Sequence, residues 1–141
     1  MKDIIDLLGR VLIAAIFLFE AYDTVAHWQS TKQTLDSYEI YWNQDLLISI
    51  AGLILFFGGL LLLIGYRVTF GTILLLCYWV PITFIIYSFW NDPMEYRRVN
   101  AISFMKNMAI TGGLLHLTLR GSGKYSVKQL ISVLKIRRKK L

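Results

Sequence analysis

The polar residues that could do chemistry in this chain interrupt apolar stretches. Lys106 and Asn107 stand side by side in FMKNMAITGG, and Glu20 and Asp23 interrupt an apolar run near the amino terminus. An ammonium, an amide and a carboxylate can form a buried ion pair, or they can bind the polar head of a ligand by hydrogen bonds. These four residues define the first candidate site.

Other kinds of catalytic site find little support in the sequence. It contains no nucleophile–base set, no glycine-rich phosphate loop and no metal-ligand cluster, and Cys77 is its single cysteine. His27 and His116 are predicted to lie more than about 20 Å apart along the membrane normal, so they cannot share a metal in one copy. Two copies of His116 flanking a haem across a dimer are the remaining alternative.

Two long apolar segments indicate how the polar residues are positioned. Residues 46–66 and 68–90 carry no charge, and each is longer than the ~18 residues that mark a membrane-spanning helix. They are separated by Arg67. The sequence therefore predicts a membrane protein that contains a helical hairpin.

Two flanking segments, 4–25 and 101–119, are apolar but carry charges. Beside two strong spans they are predicted to cross as well, which makes the fold class all-α, an integral membrane four-helix bundle. The expected domains are a four-span bundle over residues 1–122 and a basic tail over 123–141. Because acidic residues spoil a basic leader, the first span is expected to be retained rather than cleaved.

The charge distribution predicts the orientation. The net charge is +6, and the tail after Leu119 is basic and contains no acid. Because Lys and Arg favour the cytoplasmic side, both termini are predicted to be cytoplasmic. Membrane lipid, rather than nucleic acid, is the expected anionic partner. Apolar residues at helical spacing in the tail favour a basic amphipathic helix, with a frayed tail that acts only as a topology signal as the alternative.

Four crossings would place polar residues of the first and last spans in matching layers. Glu20, Asp23, Lys106 and Asn107 fall roughly 5–10 Å below the outer boundary at 1.5 Å per residue. The first and fourth spans are therefore predicted to be neighbours, with Glu20 or Asp23 paired to Lys106. Asn107 is expected to form hydrogen bonds in the same layer.

A second polar layer is predicted about 15 Å deeper. There Arg10 of the first span comes level with His116 of the fourth. A charge inside a membrane usually faces the helix bundle and finds a partner.

Three interpretations of the outer layer remain open. The pair could be purely structural, a buried polar contact that determines which helices pack together. It could line a pocket that is open to the outer face and holds a polar ligand such as a quinone head. Lys106 could also extend to the outer interface without any partner.

Three stretches of the sequence resemble the DoxX family. LLGRVLIAAIFLFEAYDTV is similar to the opening of the family, and GLLLLIGYRVTFGTILLL has the rhythm of its central hairpin. FMKNMAITGGLLHLTLRGSGKYSV resembles its closing signature, in which Asn107, a Gly-Gly pair and a Gly-Ser-Gly-Lys-Tyr-Ser turn follow in order. The resemblance covers nearly the whole chain.

The resemblance implies a multi-pass protein of the bacterial cytoplasmic (inner) membrane. Some DoxX-like proteins are subunits of a thiosulfate:quinone oxidoreductase, and others associate with soluble redox enzymes. The expected function is thus a subunit or docking component of a quinone-linked redox complex, with quinone as the one expected cofactor. The expected partner is another membrane, periplasmic or cytoplasmic protein, and a homo-oligomer is open. Since Cys77 alone cannot cycle a dithiol, the chain is at most an oxidoreductase subunit.

Two other functions are compatible with the sequence. A non-catalytic scaffold or assembly factor for another membrane protein is the main alternative. A pathway for a small solute or proton through the polar layers is disfavoured, because a bundle this small offers little room for a pore.

Overall fold

The protein is helical throughout the described regions. The computed structural model describes residues 2–123, 125–127 and 129–133, and no strand occurs among them. The elements are α1 (Lys2–Ala26), α2 (Trp28–Ser37), α3 (Gln44–Ile64), α4 (Val68–Ile86) and α5 (Met94–Arg120). The predicted all-α class is therefore confirmed.

Glycines on two faces of α3 allow close contact with both neighbouring helices. A Cβ at Gly59 would lie 3.0 Å from Leu18 of α1, and one at Gly58 would lie 2.5 Å from Leu75 of α4. Consecutive residues of a helix point about 100° apart, so one glycine pair serves both contacts. Small residues of this kind mark helix contacts in membrane proteins.

The last two long helices are joined by polar contacts in addition to apolar packing. The Thr118 hydroxyl of α5 donates to the Thr72 hydroxyl of α4 at 2.9 Å. The Trp79 indole donates to the backbone carbonyl of Asn107 at 3.4 Å. Together these bonds set the register of α4 against α5.

Helices α1 and α5 also touch, as the sequence predicts, but less extensively than α1 and α3. A Cβ at Gly113 of α5 would lie 2.9 Å from Ile13 of α1. Nearer the ends of the same two helices, the Arg120 guanidinium lies 3.3 Å from the Asp6 carboxylate. We call this region, where α1 begins and α5 ends, the clasp end.

The segment between α1 and α3 is not a simple loop, because it contains α2. Leu35 is the buried residue of this helix. The Tyr38 hydroxyl donates to the Ile86 carbonyl at the end of α4. Burial, and secondly the carboxylate of Asp92, raise the pKa of Tyr38, so the phenol stays protonated as a donor. α2 therefore covers one end of the long helices, which we call the α2 end.

Two helices, Gln44–Ile64 and Val68–Ile86, are long and apolar enough to cross a membrane. Helix α5 begins at Met94, earlier than the predicted start at residue 101. In the tail, Val127 and residues 129–133 are helical. Lys124, Lys128 and residues 134–141, which hold much of the predicted basic amphipathic helix, lie outside the described residues.

Candidate functional site

A cavity of about 430 Å³ lies at the α2 end, within the size range of small-molecule pockets. Its walls come from α1, α3 and α4, with α2 over it and Asn107 contributed by α5. Most of the lining is apolar, and the aliphatic part includes Leu35, Ile40, Leu47, Ile48, Ala51, Ile82, Ile85 and Ile86. The other lining residues carry polar side-chain atoms and come mainly from α1, α2 and α4.

One face of α1 supplies the charged lining. Glu20, Asp23 and His27 follow at spacings of three and four residues, so they lie on the same side of the helix. The His27 Nδ1 atom lies 2.9 Å from Asp23 Oδ1. Within the described residues no hydrogen bond or ion pair reaches Glu20, which is partly exposed. Its carboxylate oxygens are therefore available to a ligand in the cavity.

Helix α4 supplies the aromatic lining, with Tyr78, Trp79 and Tyr87. The Trp79 ring meets Phe17 of α1 edge to face, with centroids 5.0 Å apart. Asn107 is buried, and its side-chain nitrogen donates to the Thr83 hydroxyl at 3.3 Å. Asn107 is thus hydrogen-bonded at the level of the cavity, and its partners belong to α4.

The predicted ion pair between Lys106 and Glu20 or Asp23 is wrong. Lys106 is exposed, does not line the cavity, and has no ion pair with any residue that the structure describes. It lies on the outer surface of α5 among Arg98, Ala101, Ile102, Met105 and Ala109. The reason is angular: Asn107 faces inward, and the preceding residue of a helix points about 100° away.

Arg10 is the centre of a different cluster, at the clasp end. It is only 3% exposed, and its guanidinium donates to the carbonyls of Ser122 at 2.5 Å and Tyr125 at 2.7 Å. Its Nε is buried and has no partner among the described residues. Gly123 packs so closely that a Cβ there would lie 2.6 Å from Asp6. We call Asp6, Arg10, Arg120, Ser122, Gly123 and Tyr125 the clasp.

Arg10 and His116, which the sequence predicts to lie level with each other, do not bond to each other. No hydrogen bond or ion pair joins the two side chains in the part of the chain that the structure describes, and His116 is exposed. Leu114 and Leu117 are the buried residues of this turn of α5, so His116 points elsewhere. The structure pairs Arg10 with the turn after α5 instead.

Sequence reasoning missed the aromatic wall and the cover provided by α2. One available signal was Tyr78 within an apolar span, because a phenol there carries a polar group into the membrane. For the clasp, Asp6 and Arg10 stand four residues apart, a spacing at which helical side chains meet.

These features define an all-helical protein with membrane-length apolar helices and a ligand-sized cavity at one end. A model of the DoxX family matches residues 5–88, which covers α1 to α4. The chain therefore belongs to the DoxX family, as its sequence motifs predict. The match includes Glu20, Tyr78 and Tyr87 but ends before Asn107.

Two curated proteins are similar to the chain. The inner membrane protein YqjF of Escherichia coli K12 is 24% identical over 132 residues, which is 94% of this chain and 95% of YqjF. The Surfeit locus protein 4 homolog of Schizosaccharomyces pombe is 37% identical over 71 residues, 49% of this chain and 24% of that protein. No solved structure matches. The chain is a bacterial inner membrane protein, as predicted.

Proposed function

We propose that α1, α3, α4 and α5 all cross the membrane, with residues 1–122 as the membrane unit and both termini in the cytoplasm. Helices α1 and α5 have 25 and 27 residues, respectively. At 1.5 Å per residue they extend about 37–40 Å, which exceeds a ~30 Å hydrocarbon core. Arg67 and Arg120 lie at the clasp end, and the sequence that follows Arg120 is basic and contains no acid, which favours the cytoplasmic side. The α2 end, with its cavity, then faces the periplasm.

Cysteine labelling tests this orientation. In a Cys77→Ala background, Asn91→Cys at the α2 end should react with a membrane-impermeant maleimide in intact spheroplasts, because the loop faces the periplasm. Tyr66→Cys, an exposed position at the clasp end, should react only after lysis. Labelling of denatured protein controls for thiol reactivity. Labelling of Tyr66→Cys in intact spheroplasts would contradict the proposed orientation.

We further propose that the cavity binds the head group of a membrane quinone and that the chain serves a quinone-linked redox complex. The observation that carries this proposal is the cavity itself, which combines aromatic and aliphatic walls with the carboxyl group of Glu20, to which no described residue donates a hydrogen bond. Binding pockets are typically apolar with few polar groups that orient the ligand. The resemblance to subunits of a thiosulfate:quinone oxidoreductase supports the same ligand class.

Filling the cavity should abolish quinone binding. Ala51 is buried and lines the cavity, so Ala51→Phe should lower bound quinone at least about tenfold, because a pocket side chain that displaces the ligand removes more than 1.4 kcal/mol. Ala109→Phe places the same ring on the exposed surface of α5 and should change little. The measurement is quinone extracted from purified protein, together with titration of a short-chain quinone.

The same experiment also tests whether Lys106 contributes to quinone binding. Lys106→Met should leave quinone binding unchanged, because Lys106 points away from the cavity. Melting temperatures of all variants would show that folding is preserved. Wild-type protein that neither retains nor binds quinone would refute the proposed ligand.

A scaffold is the second candidate function. It is favoured by the exposed ammonium of Lys106 between Ala101 and Ala109, on a face of α5 that no described residue covers. Small residues and polar groups are the usual contacts between membrane helices. A stoichiometric partner that dissociates from Lys106→Met but not from Ala51→Phe would support the scaffold instead.

A further inference from the structure

We propose that the cavity binds the reduced hydroquinone in preference to the oxidised quinone, with Glu20 accepting a hydrogen bond from a ring hydroxyl. This inference rests on the proposed quinone site and adds the redox form that the site selects. It follows from comparing the hydrogen-bond donors and acceptors that the cavity presents.

The acceptors of the cavity are available. Glu20 lines the cavity and receives no hydrogen bond from any residue that the structure describes, so its carboxyl oxygens can accept one from a ligand. Asp23 has one oxygen engaged with His27, and its other oxygen remains as a second acceptor. A hydroxyl that donates to a carboxylate forms one of the stronger hydrogen bonds found in proteins.

Most side-chain donors that line the cavity are already engaged by the protein. Thr31 donates to the His27 carbonyl at 3.1 Å, and Thr34 donates to the Ser30 carbonyl at 3.1 Å. The Trp79 indole donates to the Asn107 backbone at 3.4 Å. On α5, the Asn107 side chain donates to Thr83. The hydroxyls of Thr24, Ser30, Tyr78 and Tyr87 are left without a described acceptor, and each of them can accept a hydrogen bond as well as donate one.

This balance separates the two redox forms. A quinone presents two carbonyl oxygens and no donor, so placing one beside Glu20 would leave two acceptors facing each other. A buried acceptor that faces another acceptor has lost its hydrogen bond to water without gaining a new one. A hydroquinone presents two hydroxyl donors at the same ring positions, and its remaining lone pairs can accept from Tyr78 or Tyr87. The site therefore favours the form that carries the protons.

Anaerobic titration of the full-length protein in nanodiscs tests the proposal. The probes are decylubiquinone and chemically reduced decylubiquinol, and quenching of tryptophan fluorescence reports binding because Trp79 lines the cavity. The reduced form should bind about tenfold more tightly, which corresponds to one charge-assisted hydrogen bond. Glu20→Gln should bring the two affinities within about twofold, because a carboxamide both donates and accepts.

Glu95→Gln is the matched control, since Glu95 is exposed on the first turn of α5 and does not line the cavity. It should keep the wild-type preference. Equal affinities of the wild type, or tighter binding of the quinone, would overturn the selectivity and leave the quinone site standing. Binding of neither form would overturn both proposals. A preference for the reduced form that persists in Glu20→Gln would overturn the role of Glu20. If that variant fails to fold, the ratio of the two affinities in the wild-type protein still decides whether the site is selective.

Discussion

Arg10→Leu is expected to lower the free energy of unfolding by about 2–4 kcal/mol. Arg10 is buried and donates to two carbonyls of the turn that follows α5. Removing the guanidinium leaves those two part-buried carbonyls without donors, and each can cost up to about 1–3 kcal/mol. The buried Nε, which has no described partner, offsets part of this loss because its desolvation cost disappears as well.

The effect can be measured by equilibrium unfolding in mixed micelles and by protease cleavage after α5. Arg67→Leu is the matched control, because Arg67 is an exposed arginine at the same end and forms no ion pair with the described residues. Exposed substitutions of that kind usually change stability by less than about 0.5 kcal/mol. If Arg10→Leu were as stable as Arg67→Leu, the clasp would contribute nothing to folding.

Gly58→Ala is expected to destabilise the protein by about 1–3 kcal/mol, the usual cost of overpacking a close contact. A Cβ at Gly58 would lie 2.5 Å from Leu75 Cγ and 2.6 Å from Leu75 Cδ2, closer than real Cβ atoms approach other groups. Leu75 is fully buried, so it has little room to move away. α3 and α4 would have to separate, which also disturbs the aromatic wall of the cavity.

Gly112→Ala provides the control within the same chain. A Cβ at Gly112 meets nothing within 4 Å, and alanine favours a helix over glycine by up to about 1 kcal/mol. The variant should therefore be as stable as the wild type or slightly more stable. Unfolding of the three proteins under identical conditions measures the difference. Equal stability of Gly58→Ala and Gly112→Ala would mean that α3 and α4 do not pack as described.

The sequence was sufficient for the features that depend on composition and on spacing along one helix. The charge-free runs on either side of Arg67 became α3 and α4, because a long apolar segment must satisfy its own backbone hydrogen bonds in lipid. The opening motif and the central hairpin lie within residues 5–88, the match that shows the family, and Glu20 and Asn107, which were predicted for one layer, both line one cavity.

The partners of these polar residues were decided by the tertiary structure. Spacing along a helix predicts how deep a residue lies, but the direction in which its side chain points depends on how that helix is rotated against its neighbours. Packing of α5 on α4 turned Asn107 toward Thr83 and left Lys106 outside. The return of the chain after α5 brought Ser122 to Arg10, more than a hundred residues away, a contact that no local pattern of the sequence encodes.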